Sequence, residues 1–335
     1  MRPGFPTASR PTKVVTLLTF VVLQLTLAAC QQPVESTAAP AAAASPASAA
    51  PHLPDNDAGR VVARAIAAAG GWDTWLRHRD AAFISTLTLF DPLGNATSET
   101  IFMHKLPLHE GLKTRLESIG LSEELVLGFD GRDAWMLRDG LPINEPNRIA
   151  FTRFNAISAA YWFNLPFVLA ELPGQLSYAG TVTEGDKRVE KVRVTYQDID
   201  AAPADWLVIY FDAGSGLIDH VHSHITAAFL RQSLWVGKWY EYRDIDGIKR
   251  ERRHMFFPAD TDGAAIGPMA AEQLVEHVRF DNGFSKQLFV KPAEEHRVAA
   301  NKHQTTDDRR GGRIEGSGLL SDRRVSVLSP QGRTS

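Results

Sequence analysis

From Phe83 to Phe280 the chain repeats one rhythm: short runs of alternating apolar and polar residues, separated by tight glycine-bearing turns. Glu184-Gly185-Asp186, Ala213-Gly214-Ser215-Gly216 and Asp246-Gly247 are turns of the kind that joins neighbouring antiparallel strands. A period of two places alternate side chains on opposite faces, as in Phe83, Ser85, Leu87 and Leu89 against Ile84, Thr86, Thr88 and Phe90. About eleven such strands are expected. One segment precedes the rhythm and another interrupts it. Asp55-Asn56-Asp57 offers caps for a helix carrying Val61, Val62, Ala65, Ile66 and Ala69 on one face, ended by Gly70-Gly71. Asn147 to Leu172 is the most aromatic stretch and reads as helical turns interrupted at Pro166. The fold class that follows is mostly β (α+β): a large curled antiparallel sheet, or unclosed β-barrel, with an N-terminal helix and an inserted aromatic helical segment.

The ends of the chain differ in texture. Arg2, Arg10 and Lys13 precede an uncharged run from Val14 to Ala29, which matches a secretory signal and is short for a membrane span. The run closes on Leu27-Ala28-Ala29-Cys30, which holds the only cysteine and resembles the lipobox of bacterial lipoproteins. That resemblance implies cleavage before Cys30, acylation of its thiol and attachment to a membrane, with Gln31 favouring the outer membrane. An ordinary signal peptide with an incidental Cys30 is the alternative. Residues 30–54 are rich in Ala, Pro and Ser and read as a tether, residues 55–293 as the folded domain, and residues 294–335 as a disordered tail. With no second cysteine there is no disulfide, so core burial must supply the stability. A net charge of −3 gives no argument for nucleic acid.

The acylated cysteine, the tether, a first helix ending in Ala69-Gly70-Gly71-Trp72, the strand meander and a closing Val278-Arg279-Phe280-Asp281 to Leu288-Phe289-Val290-Lys291-Pro292 resemble envelope lipoproteins of LolA/LolB-like fold. More narrowly, they resemble the DUF6503-type lipoproteins. The resemblance implies a half-barrel whose apolar concavity holds an acyl chain or other hydrophobic ligand, without enzymatic activity and without a cofactor. Trp162 and Phe163 are then expected at the mouth of the concavity with Phe167 beneath them. A lid and a plain core helix both account for the aromatic segment.

Two other clusters invite chemistry. His220, His222 and His224 alternate on one predicted strand, so their imidazoles share a face. The expected reading is a polar, solvent-facing stripe. The alternative is a zinc-dependent hydrolase, with His254 or His277 completing the ligand set, although a metallo-hydrolase His-x-His-x-Asp-His pattern would need aspartate where His224 stands. Lys249, Arg250, Arg252 and Arg253 form a basic stretch read as an exposed strand face or a lipid headgroup contact. A third class of function is an interaction module of an envelope assembly.

Overall fold

The computed structural model describes residues 51–172, 174–196, 203–227 and 233–292. Residues 1–50, which hold the expected signal segment, Cys30 and most of the expected tether, and residues 293–335, which hold the expected tail, lie outside them. No helix among the described residues is long and apolar enough to cross a membrane.

The first helix, α1 (Asp57–Ala68), starts where Asn56 caps it: the Asn56 Oδ1 accepts the Gly59 N–H at 2.9 Å. Its face of Val61, Val62, Ala65 and Ile66 is buried. It ends at Gly70, whose φ of +123° no β-carbon residue adopts easily; a Cβ there would also stand 2.1 Å from the Gly247 carbonyl oxygen. That close approach lets the Lys249 N–H reach the Ala69 carbonyl at 2.8 Å, tying the helix end to the sheet. A short α2 (Trp72–Arg77) follows.

Thirteen strands form one antiparallel sheet: β1 (Asp80–Phe90), β2 (Ala96–Pro107), β3 (Thr114–Ile119), β4 (Leu125–Phe129), β5 (Ala134–Arg138), β6 (Leu141–Ile143), β7 (Gly174–Glu184), β8 (Lys187–Tyr196), β9 (Trp206–Asp212), β10 (Ile218–His224), β11 (Leu234–Tyr240), β14 (Arg253–Pro258) and β15 (Ala271–Phe280). A hairpin of β12 (Arg243–Ile245) and β13 (Ile248–Arg250) stands apart. Sequential neighbours pair except where the sheet is joined through its middle, in the order β2-β1-β15-β14-β11-β10. The sheet runs from edge strand β6 to edge strand β7 without closing. The expected curled open sheet is therefore found, with more strands than the eleven anticipated. One cause is that the stretch from Ile248 to Pro258 holds two strands, broken at Glu251-Arg252, where the backbone leaves the hairpin and joins the main sheet.

The inserted helices are α3 (Pro146–Asn164) and α4 (Val168–Glu171), meeting at Leu165-Pro166. Apolar residues are spread around α3 rather than gathered in a stripe, as expected of a helix that packs on several sides. A single core joins α1, α3 and α4 to one face of the sheet, through residues such as Val62, Tyr161, Phe163, Phe83, Val192 and Ile209.

Candidate functional site

Strand registry locates what the helices leave uncovered. Phe83, Ser85, Leu87 and Leu89 of β1 point to the helix-bearing face, as the period-two reading requires, and Phe83 stacks on Phe163 of α3 at 4.7 Å. Towards the far end of β1 the cover thins: Ser85 is buried, whereas Leu87 and Leu89 are half-buried. Leu89 lies opposite Ala271 of β15, Ala271 opposite Phe256 of β14, and Phe256 opposite Gly237 of β11. Leu89, Ala271 and Phe256 form a half-buried apolar strip across three strands, ending at buried Gly237 and bordered by Phe102 and by Trp162 of α3. Gly237 lets the rings of Phe256 and Trp239 pack down on the sheet, since a Cβ there would come within 3.1 Å of both.

Beneath the strip lies a polar floor. Ser85 Oγ and His104 Nε2 are 2.7 Å apart, both side chains buried, and the His104 ring is stacked on Phe83 at 4.3 Å. Burial pushes the His104 imidazole down to about 3, so it is neutral, and its Nδ1 finds no partner among the described residues. On the other side His254 bonds Glu251 at 3.1 Å and Gln273 at 3.3 Å. Trp239 packs at 4.9 Å on His254, and its Nε1 also finds no partner among the described residues.

The floor continues into the group that holds α3 in place. Arg250, 2% exposed, donates to the Leu165 carbonyl at 2.6 Å and to the Glu251 carboxylate at 2.7 Å, and its guanidinium lies 4.8 Å from the Phe163 ring. A further Nη contact reaches the Trp162 carbonyl at 3.4 Å. A cation thus satisfies carbonyls at the C-terminus of α3, where the helix dipole also favours positive charge. The reading of Arg250 as part of an exposed or headgroup-contacting basic stretch is corrected: it is buried because its charge is matched by Glu251 and by helix-end carbonyls. Arg252 and Arg253 do face outward, paired with Glu276 and Glu272.

The three aromatic residues expected at a ligand site part company here. Phe163 is 4% exposed and Phe167 fully buried, stacked on Trp75 at 4.4 Å. Both belong to the core. Trp162 is half-buried at the rim of the strip, with its ring 5.8 Å from Trp239. The cavity under α1 lined by Ala65, Ala69, Pro166, Tyr242 and Glu251 measures about 10 Å³. It is a packing gap, far below the roughly 300–1,000 Å³ of a small-molecule pocket.

The histidines share the opposite face of the sheet, but not as a solvent-facing stripe. His220 is 5% and His222 3% exposed. Tyr210 stacks on His220 at 3.9 Å, Trp206 meets His222 edge-on, and the turn at Gly263 closes over His222. Burial lowers the pKa of His222. Nor do the three gather around one point: His224 bonds Asp205 at 2.7 Å, while His220 bonds Asp219 at 2.9 Å. The all-histidine zinc alternative fails on this divergence, which follows from the roughly 6–7 Å between alternate residues of a flat strand. Among the described residues, the group that does converge is Glu184, Asp219 and His220, whose ligand atoms lie within 4.8 Å of one another.

No protein-family model and no curated protein matches the sequence. Solved structures with a similar chain path include a LolA superfamily protein from Nitrosomonas europaea, 9% identical, covering 70% of this chain and 97% of that one with a TM-score of 0.47. An outer membrane lipoprotein-sorting protein domain from Vibrio parahaemolyticus is 12% identical over 69% and 94% of the two chains, TM-score 0.43. A DUF1329 family protein from Desulfovibrio piger is 10% identical over 70% and 98%, TM-score 0.43. At these values the functional argument rests on the residues of this chain.

Proposed function

We propose that this chain is a membrane-anchored envelope lipoprotein that binds an acyl chain or similar hydrophobic ligand along the strip formed by Leu87, Leu89, Ala271, Phe256 and Trp162. One observation carries the reading: strand pairing sets half-buried Leu89, Ala271 and Phe256 side by side on the helix-bearing face, with the Trp239 Nε1, unpaired among the described residues, near them. Contiguous apolar surface of this kind marks ligand or partner sites more often than chance exposure does. The role is binding rather than catalysis: the Ser85–His104 pair is buried and its His104 Nδ1 has no orienting carboxylate among the described residues, and Glu251 is held by Arg250 and His254. Anchoring through acylated Cys30, with the outer membrane as destination, rests on the lipobox residues.

Binding of a fluorescent fatty acid to the full chain tests the site. Trp162→Ala is expected to weaken it at least tenfold while leaving the fold in place. Phe163→Ala is expected to cost about 3–5 kcal/mol in urea unfolding and leave affinity per folded molecule unchanged. Unaltered affinity in Trp162→Ala would remove the strip as the site. For the anchor, Cys30→Ala is expected to abolish labelling by radioactive palmitate in a bacterial host and leave unprocessed precursor; a labelled, processed mutant would refute the lipobox reading.

A further inference from the structure

We propose that Glu184, Asp219 and His220 form a weak divalent-metal site, suited to zinc, on the face of the sheet opposite the ligand strip. The tip of the β7–β8 hairpin brings Glu184 and Lys187 to the start of β10, where Asp219 and His220 stand. His220 is held rigidly, buried beneath the Tyr210 ring. The Asp219 carboxylate lies between two partners, its Oδ2 2.9 Å from His220 Nδ1 and its Oδ1 2.7 Å from the Lys187 ammonium. An ionised carboxylate only accepts, so His220 Nδ1–H is the donor in their 2.9 Å bond.

That assignment frees Nε2, which faces Glu184 Oε1 at 3.7 Å. With Nε2 protonated the two are an ion pair; with imidazole neutral they present two lone pairs to the same space. Two ligand atoms each about 2.1 Å from a tetrahedral zinc stand about 3.4 Å apart, so little movement is needed. A carboxylate holding the far nitrogen of a metal-binding histidine is the usual outer support of such a site, and Asp219 fills that position. The imidazole nitrogen favours zinc over magnesium or calcium. Lys187, whose ammonium lies 2.7 Å from the other Asp219 oxygen, competes electrostatically with an incoming cation and keeps the site weak.

Calorimetric titration of zinc chloride into the full chain, with zinc-dependent melting as a second readout, decides the matter. One equivalent is expected to bind and to raise the melting temperature, since metal binding adds to the folding free energy. Glu184→Gln, an exposed change that leaves the fold intact, is expected to weaken binding at least tenfold. Asp219→Asn is expected to weaken it by about 10–100-fold. Lys187→Met should tighten it several-fold, and His222→Ala should leave it unchanged. No zinc binding at millimolar concentration would overturn the proposal. So would binding that survives both Glu184→Gln and His220→Gln, which would put the metal on other histidines of the chain.

Discussion

Arg250→Ala should lower the unfolding free energy by about 3–5 kcal/mol, the largest loss expected from any single charged residue of the domain. The guanidinium bonds the Leu165 carbonyl and the Glu251 carboxylate in a site where Arg250 is 2% and Glu251 5% exposed. Its removal leaves a buried carboxylate with only His254 as partner and strands carbonyls at the end of α3. The cost belongs to those groups left behind, and the net value of the intact pair is smaller. Arg250→Met combined with Glu251→Gln, which removes both charges, is therefore expected to be less destabilising than Arg250→Ala alone. Urea unfolding of the three proteins makes the comparison. A loss below about 1 kcal/mol in Arg250→Ala would show that the site rehydrates freely. Burial raises the Glu251 pKa, but Arg250 and His254 outweigh it and leave the value below that of an ordinary glutamate. A depressed carboxylate contributes stability above its unfolded pKa and loses it as the pH falls through its folded one. The acid sensitivity traced to Glu251 should accordingly disappear in the double variant.

This pair also shows where the sequence ceases to be readable. Alternation told which side of β1 faces the helices, because every residue from Phe83 to Leu89 obeys one simple register against β2 and, past a bulge, β15. The cap at Asn56 and the end at Gly70-Gly71 were equally legible, since both depend on neighbours in the chain. Lys249-Arg250-Glu251-Arg252-Arg253 looks like exposed surface by composition, and nothing local marks its centre as buried. The partner that makes burial tolerable, the end of α3, lies more than eighty residues away. His220 and His222 failed as solvent-facing residues for a similar reason: their cover comes from Tyr210, Trp206 and the turn at Gly263. Of the proposed ligand strip, the aromatic segment pointed to Trp162. Leu87, Ala271 and Phe256 required knowledge that β1, β15 and β14 are neighbours, which is set by long-range pairing rather than by local pattern.

Lowering the pH from 6.5 to 4.5 should destabilise the domain by about 2–3 kcal/mol through His104 alone. The histidine is neutral in the fold, with burial lowering its pKa to about 3, whereas an unfolded chain protonates it below about 6.5. The unfolded state then binds more protons, so stability is fully present above about pH 6.5 and is lost as the pH falls towards 3, at up to about 1.4 kcal/mol per pH unit. Between pH 6.5 and 5 most carboxylates remain ionised, which separates this contribution from acid titration of Glu251 and Asp219. His222 adds a loss of the same sign, its pKa being lowered by burial. His109 acts oppositely: burial lowers its pKa, but Glu171 outweighs that and raises it, so it adds stability as the pH falls. His104→Phe fits a site already flanked by Phe83 and Phe102. It leaves Ser85 without its partner, a cost independent of pH, and removes the titrating ring. The diagnostic quantity is therefore the slope of unfolding free energy against pH rather than its value at any one pH. His104→Phe should flatten that slope between pH 6.5 and 5, and Ser85→Ala, which retains the buried imidazole, should preserve it. Equal slopes in His104→Phe and the unmodified chain would mean that His104 gains a proton in the fold as readily as in the unfolded chain. The ring would then be open to water, and the floor beneath the apolar strip would be wet rather than dry.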